Sequence, residues 1–222
     1  METLLYLLAL IISIAASVGV NSAYNKYKKV KNSNGLTGFD VARKILDING
    51  LKDVLVLETQ GELSDHYDPQ KKVVKLSTDI YHNTTIASVA VAAHECGHAI
   101  QDKEGYSFLK IRASLFPVIN ISSKAGYVAL ILGLVAGITK LLYVGIVCEL
   151  LILLFQLVTL PVEFNASSRA LDIILKQGMV TTKERDGAKS MLTAAAMTYV
   201  ASVINALFQV LRLVLIVSNR DR

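Results

Sequence analysis

Four long stretches without charged residues interrupt this chain of 222 residues. They cover residues 3–25, 125–139, 150–162 and 190–211. A membrane-spanning α-helix needs about 20 mainly apolar residues, so the pattern predicts four spans. The spans are expected near residues 3–23, 118–138, 141–161 and 192–217. The middle two form a helical hairpin, because Gly137 and Lys140 interrupt the apolar sequence between them.

The same pattern divides the chain into five segments and predicts a mainly α integral membrane protein with four transmembrane helices. The segments are transmembrane helix 1 (1–24), a polar module (25–116), the hairpin (117–161), a connecting helix (162–190), and transmembrane helix 4 with a tail (191–222). We expect the connecting region to lead into a helix that starts at Thr182, because Thr181 and Glu184 have the spacing of a capping box.

Within the polar module, the hydrophobic period changes from helical to alternating and back, which predicts a small α+β unit. Its expected elements are a helix over residues 36–50 capped by Thr37, strands over 54–57 and 72–76, and a second helix from Asn83 or Thr84 to about Gln101. The second helix is rich in alanine and contains most of the residues with recognisable chemistry.

The second helix contains an H-E-x-x-H motif formed by His94, Glu95 and His98. Two histidines four residues apart lie on one face of a helix, where both imidazoles can bind one zinc ion. Glu95 lies beside them and is the candidate general base. Cys96 points away from the histidine face and is expected to pack in the core, while Gly97 would let another element come close to the helix.

A third metal ligand must come from outside the motif, because catalytic zinc usually has three protein ligands and an open position. The candidates are His66, His82 and the carboxylates that follow the third span, Glu163 and Asp172. Asp172 is better explained by a helical ion pair with Lys176.

The charge pattern indicates a lipid bilayer as a partner and argues against nucleic acid. The formal net charge is +5, but four lysines lie within residues 26–31, directly after the first apolar stretch. Lys and Arg collect at the cytoplasmic ends of membrane helices. In a four-span topology most of them flank the polar module, and the opposite side has only Lys140, Arg220 and Arg222. The module is therefore expected to face the cytoplasm.

Several motifs together resemble the YugP-like family of membrane-bound zinc metallopeptidases. They are His94–His98, Asp65–Pro69, Leu160–Phe164 and Ala194–Tyr199. More distantly, the chain is similar to the HtpX-type and CAAX-processing membrane proteases. The resemblance implies a zincin-like module in a bacterial cell membrane, Zn²⁺ as cofactor, and Glu163 as the third ligand. In those relatives an Asp commonly follows that Glu by four residues and supports the site. Ser167 stands at that position here, which leaves Ser167, Asn165 or another residue to provide the support.

The resemblance also implies how a polypeptide substrate binds. Residues 72–77, including Val74, are expected to form an edge strand above the motif helix, to which an extended peptide adds. His66 and Asp68 precede this strand. They either shape the cleft or hydrogen-bond the reacting carbonyl, or else they order the turn before Pro69.

These features predict a zinc-dependent endopeptidase that cleaves membrane or membrane-proximal proteins. The alternative is a membrane scaffold or chaperone-like protein that keeps a metal site without cleaving. A site with three protein ligands and an intact Glu95 argues against the scaffold, because structural zinc sites are usually closed by four ligands.

The third predicted span contains the ionisable residue Glu149, and the fourth contains Arg212. Charged groups at such positions are usually paired or exposed to water. We expect an ion pair or a water-bridged contact between them, far from the zinc, with extension of Arg212 to the lipid headgroups as the alternative.

Overall fold

The computed structural model describes residues 2–220 and is mainly helical. The elements are α1 (Glu2–Tyr27), α2 (Gly38–Ile48), β1 (Leu55–Thr59), β2 (His66–Asp68), β3 (Val73–Ser77), α3 (Thr78–His82), α4 (Ile86–Glu104), α5 (Ser107–Val135), α6 (Thr139–Lys176) and α7 (Arg185–Arg220). Arg222, one of the basic residues that indicate the topology, lies outside the described residues.

The chain forms two compact units. The hairpin unit contains the residues up to Ser17, Ser107–Pro161 and the residues from Thr198 onward, and the module unit contains Val18–Tyr106 and Val162–Met197. The module unit therefore joins the polar segment of the chain to the connecting helix, two segments that the sequence pattern separates.

Four helices, α1, α5, α6 and α7, are long and apolar enough to cross a membrane, which is the number that the sequence predicts. In the hairpin unit, apolar side chains such as Ile121 (70% exposed) and Val135 (84% exposed) face outward, as lipid-facing residues do. Helices α5 and α6 form the expected hairpin, with Gly137 in the left-handed conformation between them. A Cβ atom on Gly133 would lie 2.7 Å from Leu142 Cδ2, so this glycine allows the two helices to approach.

The expected ion pair between Glu149 and Arg212 does not form. The guanidinium group of Arg212 lies over the ring of Tyr6, 5.2 Å from its centroid. Among residues 2–220, Glu149 has no ion-pair partner. The face of an aromatic ring attracts a cation without requiring a second buried charge, which explains the different partner of Arg212.

The sheet of the module unit has the strand order β1-β3-β2, with β3 parallel to β1 and antiparallel to β2. Val74 lies opposite Val56 on one side and Tyr67 on the other, and it is fully buried. The expectation that this strand is an edge is therefore wrong, and so is the expected substrate contact at Val74. The sequence pattern missed β2 because its three residues, His-Tyr-Asp, show no apolar alternation and depend on pairing with β3.

Both predicted helices of the module are present. Thr37 caps α2 in a capping box with Asp40. Helix α4 begins later than expected, since Thr85 is its N-cap, and it ends later, at Glu104 before the left-handed Gly105. Asn83 and Thr84 stay outside α4 because the chain is still extended there, and the Thr84 carbonyl accepts a hydrogen bond from Asn32 N.

The connecting region is the continuation of α6, which runs without interruption through Pro161. After it, Thr181 N and Oγ1 donate hydrogen bonds to Glu184 Oε2, as the capping-box spacing suggests. Helix α7 nevertheless begins at Arg185 and not at Thr182, because residues 182–184 form a turn.

Helices α4 and α6 approach each other closely at Gly97. A Cβ atom at this position would lie 2.8 Å from the carbonyl oxygen of Ala166 and 3.2 Å from its Cα. The expectation that Gly97 lets another element come near the motif helix is confirmed. Because the obstacle is helix backbone, a larger residue cannot be accommodated by a change of rotamer.

Gly97→Ala should lower the stability of the protein by about 1–3 kcal/mol, because the added methyl group pushes α4 away from α6. The thermal unfolding midpoint in detergent measures this change. Gly19→Ala is the matched control: Gly19 is also helical, and a Cβ atom added there would have nothing within 4 Å. The control should be unchanged or slightly more stable, since Ala favours helix over Gly. Equal midpoints for the two variants would contradict the packing argument.

Candidate metal centre

Two helices of the module unit bring together the side chains of His94, His98 and Glu163. The histidines lie one turn apart on α4, and their ring centroids are 4.8 Å apart. Glu163 Oε2, on α6, lies 3.3 Å from His94 Nε2 and 3.5 Å from His98 Nε2. The three ligand atoms are all within 4.8 Å of one another, so the group could hold one metal ion.

The group is well shielded from solvent. The Glu163 side chain is 2% exposed, and those of His94 and His98 are 13% and 11% exposed. Burial disfavours the protonated form of His98, but its hydrogen bond to Glu163 and the charge of Glu95 outweigh this effect and raise its pKa. The small remaining exposure lies on the histidines and not on Glu163.

The spacing of these atoms fits zinc. Two ligands about 2.0–2.1 Å from a tetrahedral zinc ion lie about 3.3–3.4 Å apart. The two distances from Glu163 Oε2, 3.3 and 3.5 Å, are close to that value. Two imidazoles and one carboxylate are also the donor set of many catalytic zinc sites. The residues present therefore fit zinc in their chemistry and in the two distances from Glu163.

The other candidates for the third ligand are not part of this group. His66 Nδ1 lies 2.8 Å from the Ser64 carbonyl oxygen, and His82 Nε2 lies 3.2 Å from Glu58 Oε2. Both histidine side chains and Asp172 are exposed. Of the residues considered from the sequence, the structure thus brings only Glu163 to the two motif histidines.

Each motif histidine has a polar partner at its second ring nitrogen. Ser167 Oγ lies 3.2 Å from His94 Nδ1, and Gln101 Oε1 lies 3.0 Å from His98 Nδ1. Such partners orient the ring and select the nitrogen that is free to bind metal. Ser167 was one of the supports expected from the sequence. Gln101 was missed, although its position three residues after His98 on a helix places it on the same face.

Glu95 is 8% exposed and lies next to His94 in α4. A second carboxyl group, Asp65, lies near it. Burial is the main cause that raises the pKa of Asp65 to about 6, and the charge of Glu95 adds to the effect. Asp65 Oδ1 accepts hydrogen bonds from Ser77 N (2.7 Å) and Ser77 Oγ (3.1 Å), which fix it at the end of β3. No separate role was expected for Asp65 from the sequence.

Cys96 is fully buried, as expected, and its thiol lies 3.6 Å from the Ala42 carbonyl oxygen. Burial raises its pKa, so the thiol stays protonated. Cys96 is therefore a packing residue between α4 and α2.

Asp68 orders the turn before β3, which was one of its two expected roles. Its Oδ1 accepts hydrogen bonds from the backbone N–H groups of Gln70 and Lys71. His66 is exposed on β2, and its contact with the Ser64 carbonyl lies in the loop before β2, not in the turn that Asp68 orders.

Comparison with known proteins agrees with the chemistry of this site. Residues 2–218 match a family model described as "Putative neutral zinc metallopeptidase". Over 211 residues the chain is 46% identical to the "Putative membrane protease YugP" of Bacillus subtilis (strain 168), and this alignment covers 95% of the chain and 94% of that protein. No solved structure was found to match the chain. The resemblance that the motifs indicated is thereby confirmed, and the chain belongs to this family of zinc metallopeptidases.

Proposed function

We propose that this protein is a zinc-dependent membrane endopeptidase that hydrolyses peptide bonds of membrane or membrane-proximal proteins. The observation that carries the proposal is the convergence of His94, His98 and the buried Glu163, with Glu95 beside them. The description of the matching family and the printed name of the relative support the same activity.

In this mechanism His94, His98 and Glu163 hold the metal, and Glu95 performs the acid–base chemistry. A bound zinc ion supplies a Lewis acid that polarises the scissile carbonyl and makes water more acidic. Glu95 accepts a proton from the attacking water and passes it to the leaving amine nitrogen. The low exposure of Glu95 limits competition from bulk solvent for this proton.

An extended substrate would pair with β2, and not with β3 as the sequence suggested. β2 pairs with β3 on one side and is an edge of the sheet. Tyr67, at its centre, donates a hydrogen bond from its hydroxyl to Asp102 Oδ2 (2.9 Å), and Asp102 lies one turn after His98 on α4. These contacts support a peptide-binding edge beside the metal ligands, because strand addition recognises backbone and tolerates varied sequences. His66 is the exposed side chain of β2 available to such a peptide.

We further propose that the module unit faces the cytoplasm of a bacterial cell. The high proportion of Lys and Arg near the ends of the spans that flank this unit supports the orientation. The bacterial relative and the four candidate spans support a location in the cell membrane, where membrane proteins are the nearest polypeptides.

Glu95→Gln should lower the rate of proteolysis by about 10²- to 10⁴-fold and leave one zinc bound, because Glu95 serves the water and not the metal. The measurements are cleavage of an unfolded protein substrate in detergent and elemental analysis of the purified variant. Glu62→Gln makes the same chemical change at an exposed loop position and should keep full activity. Unchanged proteolysis by Glu95→Gln would contradict the mechanism. Wild-type protein that binds zinc and cleaves nothing would favour the scaffold.

Glu163→Ala should remove zinc and activity together, with a fall in zinc affinity of more than about 100-fold, because one of three ligands is lost. Asp172→Ala, nine residues along the same helix and exposed, should keep one zinc per chain. Competition with a chromophoric chelator measures both affinities. The assignment of the third ligand fails if Asp172→Ala loses the metal and Glu163→Ala keeps it.

A further inference from the structure

Gln101 joins the two helices that supply the metal ligands. Its side chain is completely buried between α4 and α6. The amide nitrogen, Nε2, donates to the Val162 carbonyl oxygen (2.8 Å) and to Asn165 Oδ1 (2.9 Å), both on α6. The amide oxygen, Oε1, lies 3.0 Å from His98 Nδ1 on its own helix. One uncharged side chain therefore touches a metal ligand and the helix that carries Glu163.

Arg169, at the end of this chain of hydrogen bonds farthest from His98, fixes their direction. Arg169 can only donate, and its Nε lies 2.7 Å from Asn165 Oδ1, so the Asn165 atom in this contact is the oxygen. That oxygen and the Val162 carbonyl accept hydrogen bonds only, so the Gln101 atom facing them is the nitrogen. The Gln101 oxygen must then face His98. The opposite amide orientation would place oxygen against two oxygens in a buried site.

The direction of this chain of hydrogen bonds determines which nitrogen of His98 carries the proton. An amide oxygen can only accept, so His98 Nδ1 must bear the hydrogen of that bond. In the neutral ring Nε2 is then left with a lone pair, 3.5 Å from Glu163 Oε2. Two electron-rich atoms facing each other in a buried site favour a cation between them.

We propose that Gln101 is a positioning residue that holds His98 with its proton on Nδ1 and its Nε2 free for the metal, and that Arg169, through Asn165, sets the direction of this chain. This inference rests on the metal site of the proposed function. Ser167 is also uncharged, so neither histidine has a carboxylate partner in these contacts. Among Glu163, Ser167 and Gln101, only Glu163 would offset the positive charge of a bound zinc ion. The ion would therefore be a stronger Lewis acid.

Three variants test the proposal through metal binding. Gln101→Met keeps the size of the side chain and removes all three hydrogen bonds, so zinc affinity should fall by about 10- to 100-fold. Asn165→Leu removes the oxygen that accepts hydrogen bonds from both Gln101 and Arg169, so it should lower zinc affinity in the same direction as Gln101→Met. Gln177→Met makes the same change as the first variant at an exposed position and should have no effect. Wild-type affinity in Gln101→Met would overturn the proposal.

Imidazole ¹⁵N chemical shifts of the metal-free protein give a readout that a purely structural role would not change. The chain has four histidines, so the signal of His98 can be assigned by comparison with His66→Gln, His82→Gln and His94→Gln. At a pH high enough for the imidazole ring to be neutral, His98 of the wild type should carry its proton on Nδ1, and in Gln101→Met the form with a bare Nδ1 should appear. A bare Nδ1 in the wild type would overturn the proposal even if Gln101→Met does not fold. So would a variant that loses zinc while His98 keeps its proton on Nδ1.

The metal-free measurement separates this inference from the proposed function. Wild-type protein that binds no zinc would overturn the metal site on which the peptidase mechanism depends. A wild type that binds zinc and cleaves, with His98 bare at Nδ1, would overturn the role of Gln101 alone.

Discussion

The buried carboxylate of Glu163 is the constraint on which the arrangement of the module unit depends. An isolated carboxylate that is 2% exposed is costly, so it requires positive charge or donors nearby. The two motif imidazoles meet this need directly, and a zinc ion between the three side chains meets it more fully. Since the carboxylate is on α6 and the imidazoles are on α4, the two helices must stay in close contact. Gly97 makes this contact sterically feasible.

Much of the site follows from local sequence. The H-E-x-x-H spacing places His94 and His98 on one helical face, and the small size of Gly97 indicates where a second helix comes near. Glu163 was only one of several candidates by spacing, and the family resemblance selected it. The contacts of Glu163 with the histidines could not be predicted from the sequence, because the distance between His94 and Glu163 depends on how α4 and α6 pack.

The parts that were missed or misjudged depend on tertiary pairing. β2 is three residues long, and its own sequence has little strand character. It forms because it pairs with β3. Its presence turns β3 from an edge strand into a central one. Helix α4 starts later than predicted for a similar reason, since the hydrogen bond between Asn32 and Thr84 keeps the residues before the helix extended. Arg212 contacts the ring of Tyr6 on another helix, which no pattern within its own span indicates.

The burial of Cys96 has a consequence for how this protein responds to reagents. The thiol follows Glu95 directly in the sequence, yet it is fully buried and its raised pKa keeps it protonated. Alkylating agents and mild oxidants react with exposed thiolates, so they do not reach it in the folded state. Its place in the H-E-x-x-H sequence therefore gives the centre no sensitivity to cellular oxidants, and chelating agents remain the chemical class to which such a site is vulnerable.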